Sequence, residues 1–258
     1  LQFEIVVAED GSDGAETIER NAEIMALSHC RHIVNTENVG RAVIRNRLAA
    51  QANMPWLLFV DSDMRVVKPN FVERYLQLPN ECTVVYGGNT TYGGAWTDER
   101  LLRVRYEQAA ERQFTAQQRA KQPHHHITTS NLLVHKAVMQ TVPFDNRFIT
   151  YGYEDVFWGM SLAQKGIQVA HIDNPVGFNY YDNNVAFVAK TIEALYTLYA
   201  FSTELADISP IIRLERRLHH WHLDGLVCKM LNRIMPMLHR NIVGVKPSLV
   251  AFKLFKLC

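Results

Sequence analysis

Residues 56–65 read "WLLFVDSDMR": an apolar run of strand length, Trp56 to Val60, stops at two aspartates, Asp61 and Asp63, with only Ser62 between them. Removing a lone charge from water is costly, so carboxylates at the end of a buried strand face something positive: an arginine, a helix N-terminus or a metal ion. Alternate side chains of an extended segment point the same way, which lets Asp61 and Asp63 address one ligand. Hard carboxylate oxygens suit Mg²⁺ or Mn²⁺, ions that commonly bridge to phosphate oxygens and keep several waters. The same three letters also occur in solvated turns and helix caps, so their weight depends on what surrounds them.

Upstream, "FEIVVAEDGSDG" (Phe3 to Gly14) is another β-branched run closing in turn residues, and a helical stretch follows from about Ala15 to Ser28. "HIVNTENVG" gives a strand and a turn, and "RAVIRNRLAAQA" a helix after Gly40. The opening therefore alternates strand and helix up to "WLLFVDSD". That alternation predicts an α/β fold with a mostly parallel sheet covered by helices on both faces. Ligands of such sheets bind beyond the carboxyl ends of the strands, where both "AEDGS" and "VDSD" fall.

Downstream, "NFVERYLQL" reads as a short helix, "CTVVYGG" as a strand, and Asp98 to Gln122 as one polar helix stopped by Pro123. The segment from Pro123 to Gly166 carries a strand, a loop and a helix, with Gly166 at its C-terminal end; "IQVAHI" reads as the final strand. Beyond Asp182 the chain looks helical, with Val188, Ile192, Leu195 and Tyr199 spaced for one buried face.

The 258 residues are 48% hydrophobic and 21% charged, ordinary values for a globular protein. A net charge of +1 gives no whole-chain argument for nucleic acid as a partner. The sign is uneven: residues 211–258 hold nine lysines and arginines against Glu215 and Asp224, a net +7 that leaves −6 for the rest. Cys30, Cys82, Cys228 and Cys258 are scattered without CxxC spacing, as free thiols of a reducing compartment are. No apolar run approaches the ~18 residues of a membrane span.

Three further stretches carry chemistry on one reading and plain structure on another. Glu9 and Asp10 of "AEDGS" are ordinary turn and cap residues, or acceptors for the N–H groups of a nucleotide base. Glu154 and Asp155 of "GYEDVFWG" open a helix, where acids favour the dipole, or one of them is a general base. His124, His125 and His126 cannot all point at one ion in an extended chain. The glycine-rich "GGNTTYGG" (Gly87 to Gly94) lacks the lysine of a P-loop and reads as a mobile loop over a site.

Taken in order, "EIVVAEDGS", "NTENVGRAVIRNRLAAQA", "WLLFVDSD", "SNLLVHKAV" and "FDNRFITYGYED" resemble the family 2 glycosyltransferases of the GT-A (Rossmann-like) fold, over roughly residues 3–182. The later "HIDNPV", "KTIEAL" and "KPSLVAFKLFKL" resemble a subgroup common in Bacteroidetes-type bacteria. The resemblance implies a catalytic domain over residues 1–182 with a helical C-terminal extension over 183–258. It implies metal-dependent, inverting transfer of a sugar from a nucleotide-diphosphate donor, a UDP-sugar first of all, to a saccharide or lipid-linked acceptor in bacterial polysaccharide biosynthesis. Glu9 and Asp10 match the acidic pair at base and ribose, and Arg45 and Asn46 the "RN" near the nucleotide. Asp61 matches a residue facing ribose or metal, Asp63 the ligand of Mn²⁺ or Mg²⁺, Asp155 the catalytic base, and Glu154 a group that positions the acceptor.

Two departures accompany the resemblance. Phe178 or Asn179 stands where many members carry a metal-completing histidine. The family usually begins with a further strand and helix bearing a Pro-Thr-Tyr-Asn-like stretch, and this sequence starts at Leu1 after them, which predicts an unpaired sheet position. A non-catalytic nucleotide-sugar-binding domain, or an inactive fragment, is the alternative these departures favour. A nucleotidyltransferase also uses aspartates on an α/β sheet, but its glycine-rich basic signature is absent. The basic tail reads either as a helical cap on the catalytic domain or as a peripheral contact with the anionic inner face of the cytoplasmic membrane. The expected location is cytoplasmic.

Overall fold

The computed structural model describes residues 1–79, 81–93 and 97–257. The chain runs β1 (Ile5–Asp10), α1 (Ala15–Ala22), β2 (Cys30–Asn35), α2 (Arg41–Gln51), β3 (Trp56–Val60), β4 (Met64–Val66), α3 (Phe71–Leu76), β5 (Val84–Tyr86), β6 (Asn89–Thr90), α4 (Leu102–Gln113) and α5 (Ala116–Arg119). It continues β7 (Asn131–His135), α6 (Lys136–Thr141), α7 (Glu154–Gln164), β8 (Ala170–His171), β9 (Val176–Phe178), α8 (Asn184–Ala200), α9 (Pro210–His220), α10 (Asp224–Val243) and α11 (Leu249–Phe255).

The strands form a β1–β2 pair, a four-stranded sheet in the order β3-β7-β5-β8 and a three-stranded sheet in the order β4-β9-β6. Side-chain alternation explains why helices cover both faces of the central sheet. Val84 and Tyr86 of β5 join Ala42, Ala49, Phe144 and Trp158 on one side, while Val85 joins Phe71, Tyr75 and Val176 on the other. The α/β architecture with flanking helices is as expected. The strand directions are more mixed than the alternation implies: β1–β2, β5–β8 and β6–β9 are parallel, but β7 lies antiparallel between β3 and β5, and β4–β9 is antiparallel too. Long helical connections order the first strands; β7 enters after the α4–α5 excursion and returns in the opposite sense. Among the described residues, β1 pairs only with β2 and β3 only with β7.

Three local expectations are corrected. The helix expected over Asp98 to Gln122 is two helices, broken at Phe114, where the Thr115 side chain caps α5. After "IQVAHI" a further strand, β9, follows Asn174–Pro175. In α8 the buried positions are Asn184, Phe187, Val188, Thr197 and Leu198, whereas Tyr199 of the expected face is 80% exposed. The inward face is chosen by α4: Leu102 packs with Phe187, Val188, Leu238, Ile242 and Phe252, so α8, α10 and α11 close on α4. Asn184 fastens that junction, accepting from the Leu102 N–H at 2.6 Å and donating to the carbonyl oxygens of Arg100 and Gly244. Among the described residues no helix is long and apolar enough to cross a membrane, and Cys30, Cys82 and Cys228 are free thiols, Cys258 lying outside them.

Candidate active site

The site begins with an arginine on the buried face of a helix. Ala42, Arg45 and Ala49 are the buried residues of α2, so Arg45 must find acceptors away from water. It finds two: Nη1 donates to Glu154 Oε1 at 2.8 Å and Nη2 to Asp61 Oδ1 at 3.2 Å. Burial works against the guanidinium's charge, and the carboxylates of Asp61 and Glu154 outweigh it, leaving its pKa raised. The end of β3 is thereby joined to the start of α7.

The approach to α7 is sharply bent. Gly152 has φ +99° and Tyr153 φ +68°; a Cβ on Gly152 would stand 2.8 Å from Cβ of Ala194, so only glycine fits beneath α8. The helix is then anchored by Trp158, fully buried, stacked on Phe144 at 5.0 Å and donating from Nε1 to the Val142 carbonyl at 2.8 Å. This fixes the first turn, where Glu154 turns inward to Arg45 and Asp155 faces a cavity. Burial, then the neighbouring Glu154 charge, push the Asp155 carboxyl up to about 7. Its Oδ1 accepts from the Val156 N–H at 2.8 Å.

The cavity has a volume of about 360 Å³, and Asp61, Asp63, Glu154 and Asp155 are among the side chains that line it. Burial and the Asp61 charge raise the Asp63 pKa, so Asp63 lacks a full counter-charge. A divalent cation fits that need: Asp61 and Asp63 supply two hard oxygens, and a diphosphate with water would supply the rest. Among the described residues no group of three or more His, Cys, Asp or Glu side chains converges as a metal cage. Phe178, buried, pairs with Met64 across β4–β9, and the Asn179 N–H bonds to the Asp63 carbonyl at 2.7 Å. Phenylalanine thus pairs with Met64, the residue after Asp63, where the resemblance implied a histidine.

The remaining sequence candidates lie elsewhere. The Glu9 carboxylate is engaged by Ser12, Asn21 and His32. Asp10 accepts from the N–H groups of Val39 at 2.9 Å and Gly40 at 3.1 Å, closing the turn before α2. Asn46 ties down the Phe144 backbone and the Asn146 side chain, 2.8 and 2.9 Å away. His124 meets the Ile167 carbonyl, while His125 and His126 line the cavity. The glycine-rich stretch is no open flap up to Thr91: Gly87, Gly88, Thr90 and Thr91 are buried, and Glu111 accepts from the hydroxyls of Thr90 and Thr91. Gly94 lies outside the described residues.

Sequence reasoning missed another part of the lining, the wall formed by Arg103, Glu107 and Glu111 of α4 with Tyr151 and Tyr181. The signal was present: 103, 107 and 111 recur every four residues, one row of a helix.

The sequence profile of Glycosyl transferase family 2 matches residues 1–142. No curated protein sequence matches the chain. Among solved structures, S. aureus TarS 1–349 is similar with a TM-score of 0.50 and 15% identity, over 74% of this chain and 57% of that one. The same protein in complex with UDP-GlcNAc is similar with a TM-score of 0.48 and 14% identity, over 73% and 55%. Glucosyl-3-phosphoglycerate synthase from Mycobacterium tuberculosis in complex with phosphoglyceric acid is similar with a TM-score of 0.47 and 15% identity, over 76% and 68%. The TarS likeness is one of fold, and this chain spans 57% of that TarS chain's length.

Proposed function

This chain belongs to glycosyl transferase family 2, and from that premise we propose that it catalyses inverting transfer of a sugar from a nucleotide-diphosphate donor, a UDP-sugar first of all, to a hydroxyl of a saccharide or lipid-linked acceptor. The observation that carries the reading is the meeting of residues 45, 61, 63, 154 and 155: Arg45 spans Asp61 and Glu154, and Asp61, Asp63, Glu154 and Asp155 share one cavity. In this reading residues 1–182 are the catalytic domain and 183–258 its helical extension.

Asp155 is the general base. Its pKa near 7 lets it hold the acceptor proton without being so weak a base that transfer fails. The acceptor oxygen attacks the anomeric carbon from the face opposite the diphosphate. The carbon–oxygen bond to the diphosphate breaks, the new glycosidic bond forms with inverted configuration, and the proton passes to Asp155. A Mn²⁺ or Mg²⁺ ion on Asp61 and Asp63 would supply charge neutralisation for the departing diphosphate. Arg45 holds Glu154 at the cavity lining, and Glu154 in turn keeps Asp155 a competent base by opposing its ionisation. Asp10 holds the turn before α2, on which Arg41 approaches the cavity; in this reading the base and ribose lie against that turn and Glu9, and Asn46 ties α2 to the Phe144 backbone.

A non-catalytic nucleotide-sugar-binding domain is the second reading, favoured by Phe178, which stands where the resemblance implied a histidine. Calorimetry with UDP and GDP, with and without Mn²⁺, separates the cases when paired with UDP release from UDP-sugars over an acceptor panel. Metal-strengthened binding with turnover supports the enzyme; binding without turnover supports the alternative; binding of neither nucleotide removes both.

The closing segment "KPSLVAFKLFKL" suits the Bacteroidetes-type subgroup that the resemblance implies. The free thiols fit a reducing cytoplasm. Helix α10 suits contact with an anionic membrane. Leu226, Met230 and Met237 are exposed along one stripe beside Lys229, Arg233 and Arg240, and its other face packs inward through Leu231, Leu238 and Ile242. Flotation with anionic liposomes, compared between the chain and its Met230→Glu/Met237→Glu variant, tests that contact.

A further inference from the structure

The α4 wall of the cavity holds one polar atom that the fold leaves unused. Tyr181 lines the cavity, and its hydroxyl is buried with no hydrogen-bond partner. Burial, with the charges of Glu107 and Glu111 nearby, pushes that phenol up to about 12, so it stays a neutral donor. Buried hydroxyls are rarely left unpaired, because the lost hydration is not recovered.

Its surroundings are built rather than accidental. Arg103 Nε meets Glu107 Oε1 at 2.7 Å, and both side chains are largely buried. The Arg103 guanidinium is held over the rings of Phe187 at 5.0 Å and Phe178 at 5.5 Å, which keeps it from swinging out. Phe178 in turn packs against the Tyr181 ring, the centroids 5.2 Å apart. Glu111, one turn on, is already committed to Thr90 and Thr91. The wall therefore offers a phenol donor, a Glu107 carboxyl that Arg103 holds against the burial that raises its pKa, and the face of the Tyr181 ring.

We propose that Tyr181 and Glu107, with Arg103 positioning Glu107, form a subsite that reads a hydroxyl of a sugar ring. A sugar hydroxyl both accepts and donates, so it can take the Tyr181 hydrogen and give its own to Glu107, while a C–H face of the ring lies on Tyr181. This rests on the glycosyl-transfer reading for its ligand. The ring belongs either to the donor or to the acceptor, and the experiment separates them.

The variants are Tyr181→Phe and Glu107→Gln. Tyr181→Phe removes an unpaired hydroxyl and breaks no hydrogen bond, so its melting temperature should equal or exceed that of the parent. In calorimetry, UDP should bind both variants as it binds the parent. UDP-glucose, UDP-galactose and UDP-GlcNAc are the donor probes; weakening of the preferred one by roughly 3- to 10-fold, the worth of one net hydrogen bond, assigns the ring to the donor. Saturation-transfer NMR with free glucose, galactose and GlcNAc at millimolar concentration is the second arm, and it needs no nucleotide. Signal lost in Tyr181→Phe while UDP-sugar binding is unchanged assigns the ring to the acceptor. If the parent binds no nucleotide yet shows sugar saturation transfer that the variants lose, the subsite stands and the transfer reading falls. If UDP-sugars and free sugars bind the variants as they bind the parent, or bind neither, the subsite is overturned.

Discussion

Replacing Arg45 by methionine should be among the most damaging single changes in the molecule, and the geometry says by how much. Arg45 and Glu154 are both buried, 6% and 4% exposed, and meet at 2.8 Å. The second arm reaches Asp61, whose side chain is 32% exposed, at 3.2 Å. The Asp61 arm is partly solvated and contributes at most about 1 kcal/mol. The Glu154 arm dominates: without Arg45 a carboxylate is left buried and unpaired, which costs roughly 3–5 kcal/mol. At this chain length about 2 °C of melting temperature accompanies each kcal/mol, so Arg45→Met should melt roughly 6–10 °C lower. Adding Glu154→Met removes the stranded charge and should restore stability to within about 1–2 kcal/mol of the parent, because a hydrophobic pair of similar size often replaces a buried ion pair at little cost. Urea unfolding followed by circular dichroism at pH 8, on both singles and the double, measures the coupling. A single-variant loss under about 1 kcal/mol, or a double variant as unstable as the sum of the singles, would refute the claim that this ion pair fastens β3 to α7.

Asp155→Asn should bind UDP as the parent does and lose transfer by roughly 10²- to 10⁴-fold, measured as UDP release; parental turnover would exclude Asp155 as the base. The pH profile follows from its raised pKa. The base form is present above about pH 7 and is lost as pH falls through that value, so kcat/KM should rise with pH and level off above 7. Glu154→Gln removes a charge that opposes Asp155 ionisation, so it should move that rising limb to lower pH; a limb that stays put contradicts the assigned cause. Asp63→Asn should abolish any strengthening of UDP binding by Mn²⁺ while leaving metal-free binding near the parental level, a comparison that calorimetry makes directly.

Much of this was legible locally. The runs around Val6, Leu58 and Val85 announce strands because β-branched and apolar residues fit a pleated, covered surface. The alternation of strands with helices led to the layered α/β class, and Glu154 and Asp155 stand at a helix start as their sequence says. Gly166, with φ +68°, ends α7 where a left-handed residue was needed. In each case the determining interactions lie within a few residues, so a one-dimensional pattern contains them.

Partner choice was not legible, because it depends on how the chain closes on itself. Arg45 and Glu154 are 109 positions apart, and nothing in either helix names the other. Strand β7 carries the same apolar alternation whichever way it runs; its antiparallel seat between β3 and β5 follows from where the preceding helices deliver it. Glu9 reads as a ligand-facing acid until Asn21 and His32 fold onto it. The charged row of α4 reads as a solvated face until α8, α10 and α11 close on that helix and leave Arg103 and Glu107 lining a cavity. Local composition and spacing assign which segments are strands and helices and which of them end in acid. The tertiary structure alone decided which of those acids meet an arginine, which meet their own backbone, and which face a cavity, since burial and pairing are properties of the closed chain.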